Sequence, residues 1–358
     1  MSERTVAPSP SSPEKLGALL VRDLDAANVG RWDAFVMACP EATFFHRAGW
    51  AEVLRRAFGH DTHFLYAERN GVLCGVLPLG HIRSRLFGNT LISTPFCVLG
   101  GAVGDADACA DLEKAAFELA HSLKVNVLEL RHSQLRHPDW PAKRELYVNF
   151  RKTIDPDPEV NLKAIPRKQR AMVRKGIDAG LQGEIDQGID RLFAAYSESV
   201  RNLGTPVFSR RYFATLKAVF GPDCEVLTVM HQGRTVASVM SFYFRDAVLP
   251  YYGGGTALAR DLKGNDFLYW DLLRRAGERG IRVFDYGRSK IGTGSYSFKK
   301  NWGFTPEPLH YEFQLVKAGR LPDVNPLNPK YRLFIEAWKR LPLPVSRWLG
   351  PLLARSLG

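Results

Sequence analysis

One order of predicted elements occurs twice in the chain, and this repeat constrains the fold more than any other feature. In the first half, two apolar runs flank Asn70-Gly71 in "HFLYAERNGVLCGVLPLGHI". This dipeptide predicts a β-hairpin, because both turn positions favour positive φ angles. A third apolar run, a helical pattern over "DADACADLEKAAFELAHSLK" and a buried strand "VNVLELRH" then follow in that order.

The second half repeats the order. A hairpin is predicted about Gln232-Gly233, and "AVLPYYGGG" is a third strand. The helix "NDFLYWDLLRRAGERG" ends at Gly280, and the strand "IRVFDYG" closes the unit. An acid lies at matching places in the two closing strands, Glu129 and Asp285. The repeat predicts an α/β (α+β) fold with two tandem domains, each a mixed sheet flanked by helices.

Composition shifts set the boundaries of the predicted segments. The first residues are polar, rich in Pro and Ser, and lack the apolar region of a signal peptide. The predicted segments are a disordered leader at 1–15, a first domain at 16–155, a basic helical connector at 156–180, a second domain at 181–320, and a basic amphipathic tail at 321–358.

Charge and cysteine usage narrow the partners and the compartment. The net charge of +12 favours partners rich in phosphate or carboxylate. Five scattered cysteines without C-x-x-C spacing argue against a disulfide framework and for the cytoplasm. No apolar run approaches the ~18 residues of a membrane span.

Several catalytic signatures are missing from the sequence. It has no G-x-x-x-x-G-K-[ST] loop, no G-x-S-x-G elbow, and no H-E-x-x-H or Cys/His zinc spacing. Phosphoryl transfer and metal-dependent hydrolysis therefore lose support, and no metal site is predicted. What remains is group transfer by positioning and oxyanion stabilisation.

The stretch "FDYGRSKIGTGSYSFKKNWGF" holds the strongest candidate residues. Asp285 is either a base for an incoming nucleophile, an anchor for the following loop, or a turn cap, and the sequence leaves these open. Arg288 and Lys299 would converge on an anion if "SYSFKKN" forms a short helix with Ser295 as its N-cap. Asp285 and Lys299 are the candidate catalytic residues.

Other candidates lie at the ends of predicted elements. Tyr252 and Gly254 end the third strand, where glycine allows a ligand close to the backbone, although a β-bulge explains it nearly as well. Asn265 is a candidate N-cap and a secondary ligand contact. Trp50, one turn after His46 on the first helix, could line a cleft.

The connector contains "NLKAIPRKQRAMVRKG", in which Arg167, Arg170 and Arg174 are spaced to share one helical face. No acid occurs from 160 to 177. A solvated basic helix is the plain interpretation, but a helix with charges of one sign lacks stabilising i,i+4 pairs. We therefore favour an anion-binding role for this face.

The tail at 321–358 differs in composition from the segments before it, because it is rich in Pro and mixes basic with aromatic residues. In "YRLFIEAWKR", four apolar residues share one helical face, namely Tyr331, Phe334, Ile335 and Trp338. This pattern fits an amphipathic segment peripheral to the inner membrane. It fits equally well a tail that packs on the body of the protein, and both interpretations stay open.

Three segments in order, "YYGGG", "GNDFLYWDLLRRAGERGIRVFDYG" and "GSYSFKKNWGF", resemble core motifs of the FemAB family of peptidoglycan aminoacyl and peptidyl transferases. "IPRKQRAMVRKG" resembles the basic segment between its halves, and "ATFFHRAGWAEVLRRAFGH" its first helix. The resemblance covers roughly 16–316. The tail segment "NPKYRLFIEAWKRLPLP" resembles, more narrowly, the FemAB-like proteins associated with PEP-CTERM and exosortase exopolysaccharide loci.

The resemblance implies two tandem GNAT-like acyltransferase domains. It also implies transfer of an amino acid from aminoacyl-tRNA to an amine of a cell-envelope precursor. The coenzyme A signature of GNAT enzymes, Q/R-x-x-G-x-G/A, is poorly matched by "ARDLKGND". Its Arg260 to Gly264 spacing differs by one residue, and Asn265 replaces the last glycine.

Three hypotheses of function follow. The first is a FemAB-like acyl or aminoacyl transferase that acts on an amine or hydroxyl of a phosphate-bearing saccharide or lipid-linked precursor, without a covalent enzyme intermediate. The second is an acyl-CoA-dependent N- or O-acyltransferase. The third is a non-catalytic module that binds tRNA or anionic lipid. Aminoacyl-tRNA or acyl-CoA would be a co-substrate, and no bound cofactor is expected.

Overall fold

The computed structural model of the chain describes residues 17–84, 87–143, 145–321 and 329–357, of which 329–332 by their backbone alone. The predicted leader lies outside the described residues. The elements of the first half are β1 (Leu19–Asp23), α1 (Val29–Ala38), α2 (Gly49–Val53), β2 (Asp61–Arg69), β3 (Val72–Ser84), β4 (Gly88–Ser93), β5 (Val103–Gly104), α3 (Ala106–Ser122), β6 (Val127–His132), β7 (Ala142–Lys143) and β8 (Tyr147–Thr153).

A pair of helices, corresponding to the predicted connector, opens the second half. The elements from there to the C-terminus are α4 (Pro158–Ala164), α5 (Arg167–Asp178), β9 (Gln182–Asp186), α6 (Asp190–Leu203), α7 (Arg210–Phe220), β10 (Cys224–His231), β11 (Arg234–Phe244), β12 (Ala247–Gly255), α8 (Leu258–Asp261), α9 (Gly264–Glu278), β13 (Val283–Asp285), β14 (Ser289–Lys290), α10 (Gly294–Asn301), β15 (Thr305–Pro308), β16 (His310–Leu315), α11 (Pro329–Lys339) and α12 (Leu343–Ala354).

The repeated order of elements is confirmed. β2, β3, β4, α3 and β6 in the first half correspond to β10, β11, β12, α9 and β13 in the second. The hairpin turns have the positive φ angles that the dipeptides predict: 52° and 77° at Asn70 and Gly71, and 47° and 74° at Gln232 and Gly233. The sequence therefore specified both hairpins locally.

The two units form two mixed sheets flanked by helices, as predicted. The first sheet has the order β1-β2-β3-β4-β6-β16-β7, and the second has the order β14-β8-β13-β12-β11-β10-β9. Neighbouring strands are antiparallel except at one place in each sheet, where β4 runs parallel to β6 and β12 runs parallel to β13. The two parallel pairs are at corresponding positions in the two units.

Each half of the chain contributes a strand to the sheet of the other half. β8, from the first half, pairs with β13 of the second sheet, and β16, from the second half, pairs with β6 of the first sheet. The predicted division of the sequence at 155 and 181 stays a prediction. The sheets nevertheless cross it, so neither sheet is complete without the other half.

An aromatic core joins the halves. Phe44, from the first half, stacks on Phe242 of β11 with ring centroids 4.4 Å apart, and also contacts Phe220 at 4.6 Å. Trp50 lies in the same hydrophobic cluster and is fully buried. Because such rings bury large apolar areas, this contact fixes the relative position of the two units.

The C-terminal helices pack on the body, chiefly against α6. Arg201 donates a hydrogen bond to the Leu341 carbonyl at 3.2 Å, and Trp338 is buried. Of the predicted apolar face of this tail, the Tyr331 side chain lies outside the described residues. Among the described residues, no helix has the length and apolarity needed to cross a bilayer.

Candidate active site

A wedge opens in the second sheet where β12 and β13 diverge. Their parallel pairing is limited to Ala247 with Val283 and Val248 with Phe284. The register of β12 against β11 then shifts, so that Tyr251 is an extra residue in β12. In the described part of the chain, the β13-facing edge of β12 is paired with no strand after Val248. The wedge thus exposes a strand edge to a ligand.

A cavity of about 340 Å³ fills this wedge, and we call it the wedge cavity. Pro250–Gly253 form one wall, and Tyr286–Arg288 form the other. The remaining lining side chains come from separate parts of the chain and are Phe96, Val98, Phe208, Tyr269, Lys299 and Leu357. Both halves and the C-terminal end therefore contribute to this cavity, and six of its thirteen lining residues are aromatic.

Lys299 reaches the wedge cavity from α10. Its Nζ donates hydrogen bonds to the carbonyls of Gly287 at 2.9 Å and Arg288 at 3.0 Å. It also lies over the rings of Phe150 and Tyr286, at 5.6 and 5.4 Å from their centroids. Burial lowers the pKa of Lys299 to about 7, although the Asp285 carboxyl opposes this shift. A lysine in this state can both accept and donate a proton near neutral pH.

Arg288 is held in place on the opposite side of that loop. Its Nη1 donates to the Tyr311 hydroxyl at 2.9 Å, and its guanidinium lies 4.8 Å from the Tyr147 ring centroid. The Tyr311 hydroxyl in turn donates to the Val98 carbonyl at 2.7 Å. Because Tyr311 lies on β16, the exchanged strand helps to orient this cation.

Tyr252 forms part of the cavity wall, and its role as a substrate contact stays a prediction. Its hydroxyl lies 2.7 Å from that of Tyr212, and burial raises the pKa of Tyr252 well above its usual value. The neighbouring Tyr251 donates to the Phe96 carbonyl at 3.0 Å. Both phenols are therefore neutral and fixed at physiological pH.

Asp285 faces a second and larger cavity of about 750 Å³, between the two halves. Its Oδ1 accepts hydrogen bonds from the Gly287 amide at 3.0 Å and the Asn149 amide at 3.1 Å, and Arg151 lies 3.5 Å from Oδ2. Burial raises the pKa of this carboxyl, while Arg151 opposes the shift. The bond to Gly287 ties down the loop that carries Arg288, so the contacts agree with the predicted anchor.

Two predicted cleft contacts are wrong. Trp50 is fully buried, and its indole N–H donates to the Phe44 carbonyl at 3.1 Å, so it serves the aromatic core and reaches no cleft. A Cβ on Gly254 would lie 2.8 Å from Ser199 Cβ and from Tyr196 Cα. The close approach at this glycine is therefore made by α6, and Gly253 borders the cavity instead.

Two predicted helix caps are also wrong. Lys263, with φ of 57°, is the N-cap of α9, and Asn265 lies exposed inside the first turn. Asn265 is close to Gly255, at the far end of β12. Thr293, rather than Ser295, is the N-cap of α10, and its side chain accepts from the Tyr296 amide. In both cases the N-cap lies two residues before the predicted one.

The basic face of α5 belongs to the same half of the chain as the strands that form the wedge. Arg167 and Arg174 are exposed, whereas Arg170 is half-buried and donates to the Lys163 carbonyl at 2.9 Å. The buried face of α5 packs on α9, and Pro166 packs against Gly303 just after α10. The three arginines lie outside the wedge cavity, on a helix whose start at Pro166 is close to Gly303, just after the helix that carries Lys299.

Several lining residues had no sequence signal. Phe96 comes from the first half and reaches the cavity because the two halves pack together, whereas Phe208, between α6 and α7, lies against Tyr252 of the same half. Tyr269 and Tyr286 lie within the motifs quoted above but appeared as core residues of a helix and a strand. Only the folded structure, in which both side chains line the same cavity, identifies them as candidate site residues.

At the corresponding place in the first sheet, the chain itself pairs with β6, and a cavity of about 290 Å³ lies beside this segment. After β4, the chain turns back, and the amides of Gly100 and Gly101 donate to the Arg131 carbonyl of β6 at 3.2 and 2.9 Å. Arg131 is buried there, and binds Glu129 at 2.8 Å and the Cys97 carbonyl at 2.7 Å. Of the two corresponding places, only that of the second sheet leaves a strand edge unpaired among the described residues, and we take this wedge as the candidate active site.

Comparison with known proteins agrees with this geometry. Residues 165–300 match the family model of the acetyltransferase (GNAT) domain. The crystal structure of FemX matches with a TM-score of 0.64 at 15% identity, over 88% of this chain and 100% of that chain. L-PGS from Bacillus licheniformis matches with a TM-score of 0.51 at 14% identity, over 91% and 98% of the two chains.

A tandem GNAT protein from the clavulanic acid biosynthesis pathway also matches, with a TM-score of 0.50 at 15% identity, over 83% of this chain and 97% of that chain. No curated protein matches the sequence. The second half thus contains a GNAT-type acyltransferase domain, and the chain has a tandem GNAT-like fold. The predicted fold class and the acyltransferase class are confirmed.

Proposed function

We propose that the wedge cavity transfers an aminoacyl group, in the manner of the FemAB family, to a cell-envelope or exopolysaccharide precursor. The observation that carries this proposal is the placement of Lys299 and Arg288 at one wall of the wedge, opposite the unpaired edge of β12. A strand edge can hold an extended ligand by backbone hydrogen bonds, and a cation beside an amine that exchanges protons can hold a carbonyl oxygen as it gains charge.

In the proposed reaction, the acceptor amine attacks the ester carbonyl of the donor. A C–N bond forms and the C–O bond to the donor hydroxyl oxygen breaks. The proton lost by the amine passes through Lys299 to that oxygen, since a lysine with a pKa of about 7 exchanges protons near neutral pH. Arg288 would stabilise the oxyanion, and Asp285 would hold the loop between the two cations.

The start of α9 favours aminoacyl-tRNA over acyl-CoA as donor. Helix N-termini bind phosphates through bare amides, and the coenzyme A signature is expected at this place. Here Asp266 adds a carboxyl to the first turn, where it accepts from Gln169 and Trp302, each at 3.1 Å. A Cβ on Gly264 would lie 2.3 Å from Val236, so the turn is also packed closely. Both features disfavour the binding of the coenzyme A pyrophosphate at this helix start.

The acceptor is proposed from charge and from the structural neighbours. We infer an amine or hydroxyl on a phosphate-bearing saccharide or a lipid-linked precursor. FemX and a putative lysylphosphatidylglycerol synthetase from Agrobacterium fabrum, with a TM-score of 0.53 at 16% identity, support a cell-envelope acceptor. The motif resemblance extends this proposal to PEP-CTERM and exosortase loci, and a tRNA donor places the reaction in the cytoplasm.

The exposed face of α5 is proposed to bind the tRNA backbone. Arg167 and Arg174 point to solvent while the other face of the helix packs on α9. A polyanion on this surface would lie next to α10 and hence near the wedge cavity. In this proposal, the predicted anion-binding face of α5 is part of the site that binds the tRNA donor.

Transfer from acyl-CoA is the second candidate, because the matched family model describes an acetyltransferase domain. Binding measurements separate the two donors. We expect tRNA to bind with a steep salt dependence, and acetyl-CoA to give no heat at micromolar concentrations in isothermal titration. Arg167→Glu with Arg174→Glu should weaken tRNA binding about tenfold or more and reduce the salt slope by about 2.

The matched control for this experiment is Lys114→Glu, an exposed lysine on α3 of the first half, which should leave tRNA binding nearly unchanged. Micromolar binding of acetyl-CoA, together with equal tRNA affinity in the wild type and the α5 variant, would reject the tRNA donor and support acyl-CoA.

A further inference from the structure

The outer face of α12 is apolar and has no covering element in the described part of the chain. Val345, Trp348 and Leu352 follow one another at intervals of three and four residues, so they share one side of the helix. Their side chains are 37%, 71% and 58% exposed. On a water-facing helix such positions are ordinarily polar.

The inner face of the same helix fixes this orientation. Ser346, Gly350 and Ala354 are buried, and a Cβ on Gly350 would lie 2.8 Å from Val207. α12 cannot rotate about its axis without a clash at this glycine. The apolar side is therefore turned outward by close contact on the opposite side.

The charge of α12 is also turned inward. Arg347 is the single charged residue between Leu343 and Ala354. Its Nε donates to the Ser197 hydroxyl at 2.8 Å, and its guanidinium lies 5.5 Å from the Phe193 ring centroid. The exposed side thus carries no charge of its own, while Arg340 and Arg355 are exposed just beyond the two ends of the helix.

We propose that the outer face of α12 docks this protein on an anionic lipid bilayer. The helix has 12 residues, too few to span a membrane, which needs about 20. A helix with an exposed Trp and Leu, flanked by arginines, suits the plane of the lipid headgroups. Residues 321–358 contain six basic and two acidic residues, which complements an anionic surface.

Docking at this face would orient the candidate active site. Leu357, three residues after the end of α12, lines the wedge cavity. A bilayer against α12 would therefore lie near the entrance to that cavity, where the headgroup of a lipid-linked acceptor could enter. This last consequence rests on the proposed function, whereas docking itself does not depend on any transfer activity.

Vesicle flotation of the full chain tests the docking. We expect the protein to float with vesicles of phosphatidylglycerol and phosphatidylcholine, and much less with phosphatidylcholine alone. Trp348→Ser with Leu352→Ser should reduce the floated fraction about tenfold or more. The control is Val72→Ser, since Val72 is a similarly exposed apolar residue, at 68%, on the first sheet. It should float as the wild type does.

Tryptophan fluorescence provides a second readout. Trp348 is exposed, whereas Trp32, Trp50, Trp270, Trp302 and Trp338 are buried. Vesicles with brominated acyl chains should quench part of the wild-type emission, and Trp348→Phe should remove most of that quenching while it still floats. Equal thermal unfolding of the serine variant and the wild type shows that the fold is retained.

Three results would overturn the proposal. They are flotation of the serine variant equal to that of the wild type, quenching that persists in Trp348→Phe, and a stable wild-type dimer that the serine substitutions convert to a monomer. The dimer would assign this face to a second copy of the chain. None of these results depends on the donor or acceptor, so the failure of docking and the failure of the proposed transfer are distinguishable.

Discussion

Lys299 is nearly completely buried, with 9% of its surface exposed, and its side chain lines the wedge cavity. Its Nζ contacts two carbonyl oxygens and two aromatic rings. Burial disfavours the charged form, so its pKa falls from 10.5 to about 7. The position therefore costs stability, which suggests that the amine is kept for chemistry.

This cost predicts a pH-dependent gain on Lys299→Met. Below pH 7 the lysine is charged in the folded and the unfolded state, so its burial costs the full amount. Above pH 10.5 it is neutral in both states, and the cost disappears. We expect the stability of the variant relative to the wild type to be higher at pH 6 than at pH 10.5 by about 4–5 kcal/mol, the free energy that corresponds to this pKa difference. Urea denaturation at the two pH values checks this, and a relative stability that is no higher at pH 6 would contradict the account of Lys299.

The contacts of Asp285 make its role testable by two substitutions. Oδ1 accepts from the Gly287 amide and from Asn149, and an asparagine in its place retains an oxygen for both. An anchor role predicts that Asp285→Asn keeps activity within about fivefold, while Asp285→Ala loses tenfold or more because the Arg288 loop is released. Steady-state kinetics of the two variants distinguish an anchor from a general base, because a general base would lose its function in Asp285→Asn as well.

Local elements were predictable because their signals are local. The turn dipeptides at Asn70-Gly71 and Gln232-Gly233 specify hairpins, and apolar periodicity specifies α3 and α9. The first residues of the helices were harder to predict. Lys263 adopts a left-handed conformation, for which its sequence context gives no signal. Glycine roles also need the fold, since close approach by a helix and by a ligand look alike in the sequence.

Gly254 illustrates this at the level of β12 and α6. A methyl group there would meet the Tyr196 backbone at 2.8 Å and the Ala195 carbonyl at 2.9 Å. Gly254→Ala should therefore destabilise the protein by about 1–3 kcal/mol, because backbone atoms cannot yield easily. Gly188→Ala, where no atom lies within 4 Å, is the matched control. Equal urea midpoints for the two variants would show that α6 does not pack this closely on β12.

At the scale of the whole molecule, the exchange of β8 and β16 decides how the halves depend on each other. The sequence could not reveal it, because strand partners are set by the arrangement of the sheets and not by local pattern. The same exchange places Tyr147 and Tyr311 on Arg288. The position of Phe96 at the cavity was unpredictable for the same reason. Lys299, Arg288 and Tyr252 are candidates from their motifs that the fold brings to one cavity, and their roles stay predictions.

The exchange predicts that neither half folds alone. A fragment of residues 17–155 lacks β16, and a fragment of 181–321 lacks β8, so each leaves a central strand of its sheet without one of its two neighbours. The halves also share the aromatic core around Phe44 and Phe242. We expect neither fragment to show a cooperative urea transition by circular dichroism. A cooperative transition in either fragment would show that its sheet is stable without the exchanged strand.

The most direct test of the wedge as the active site is a transfer assay with radiolabelled aminoacyl-tRNA and an envelope precursor fraction. It compares the wild type with Lys299→Met and with Lys300→Met, the exposed neighbour on α10. We predict transfer of label by the wild type and by Lys300→Met, and a rate about a hundredfold lower for Lys299→Met. Equal rates for the wild type and Lys299→Met would contradict the central claim.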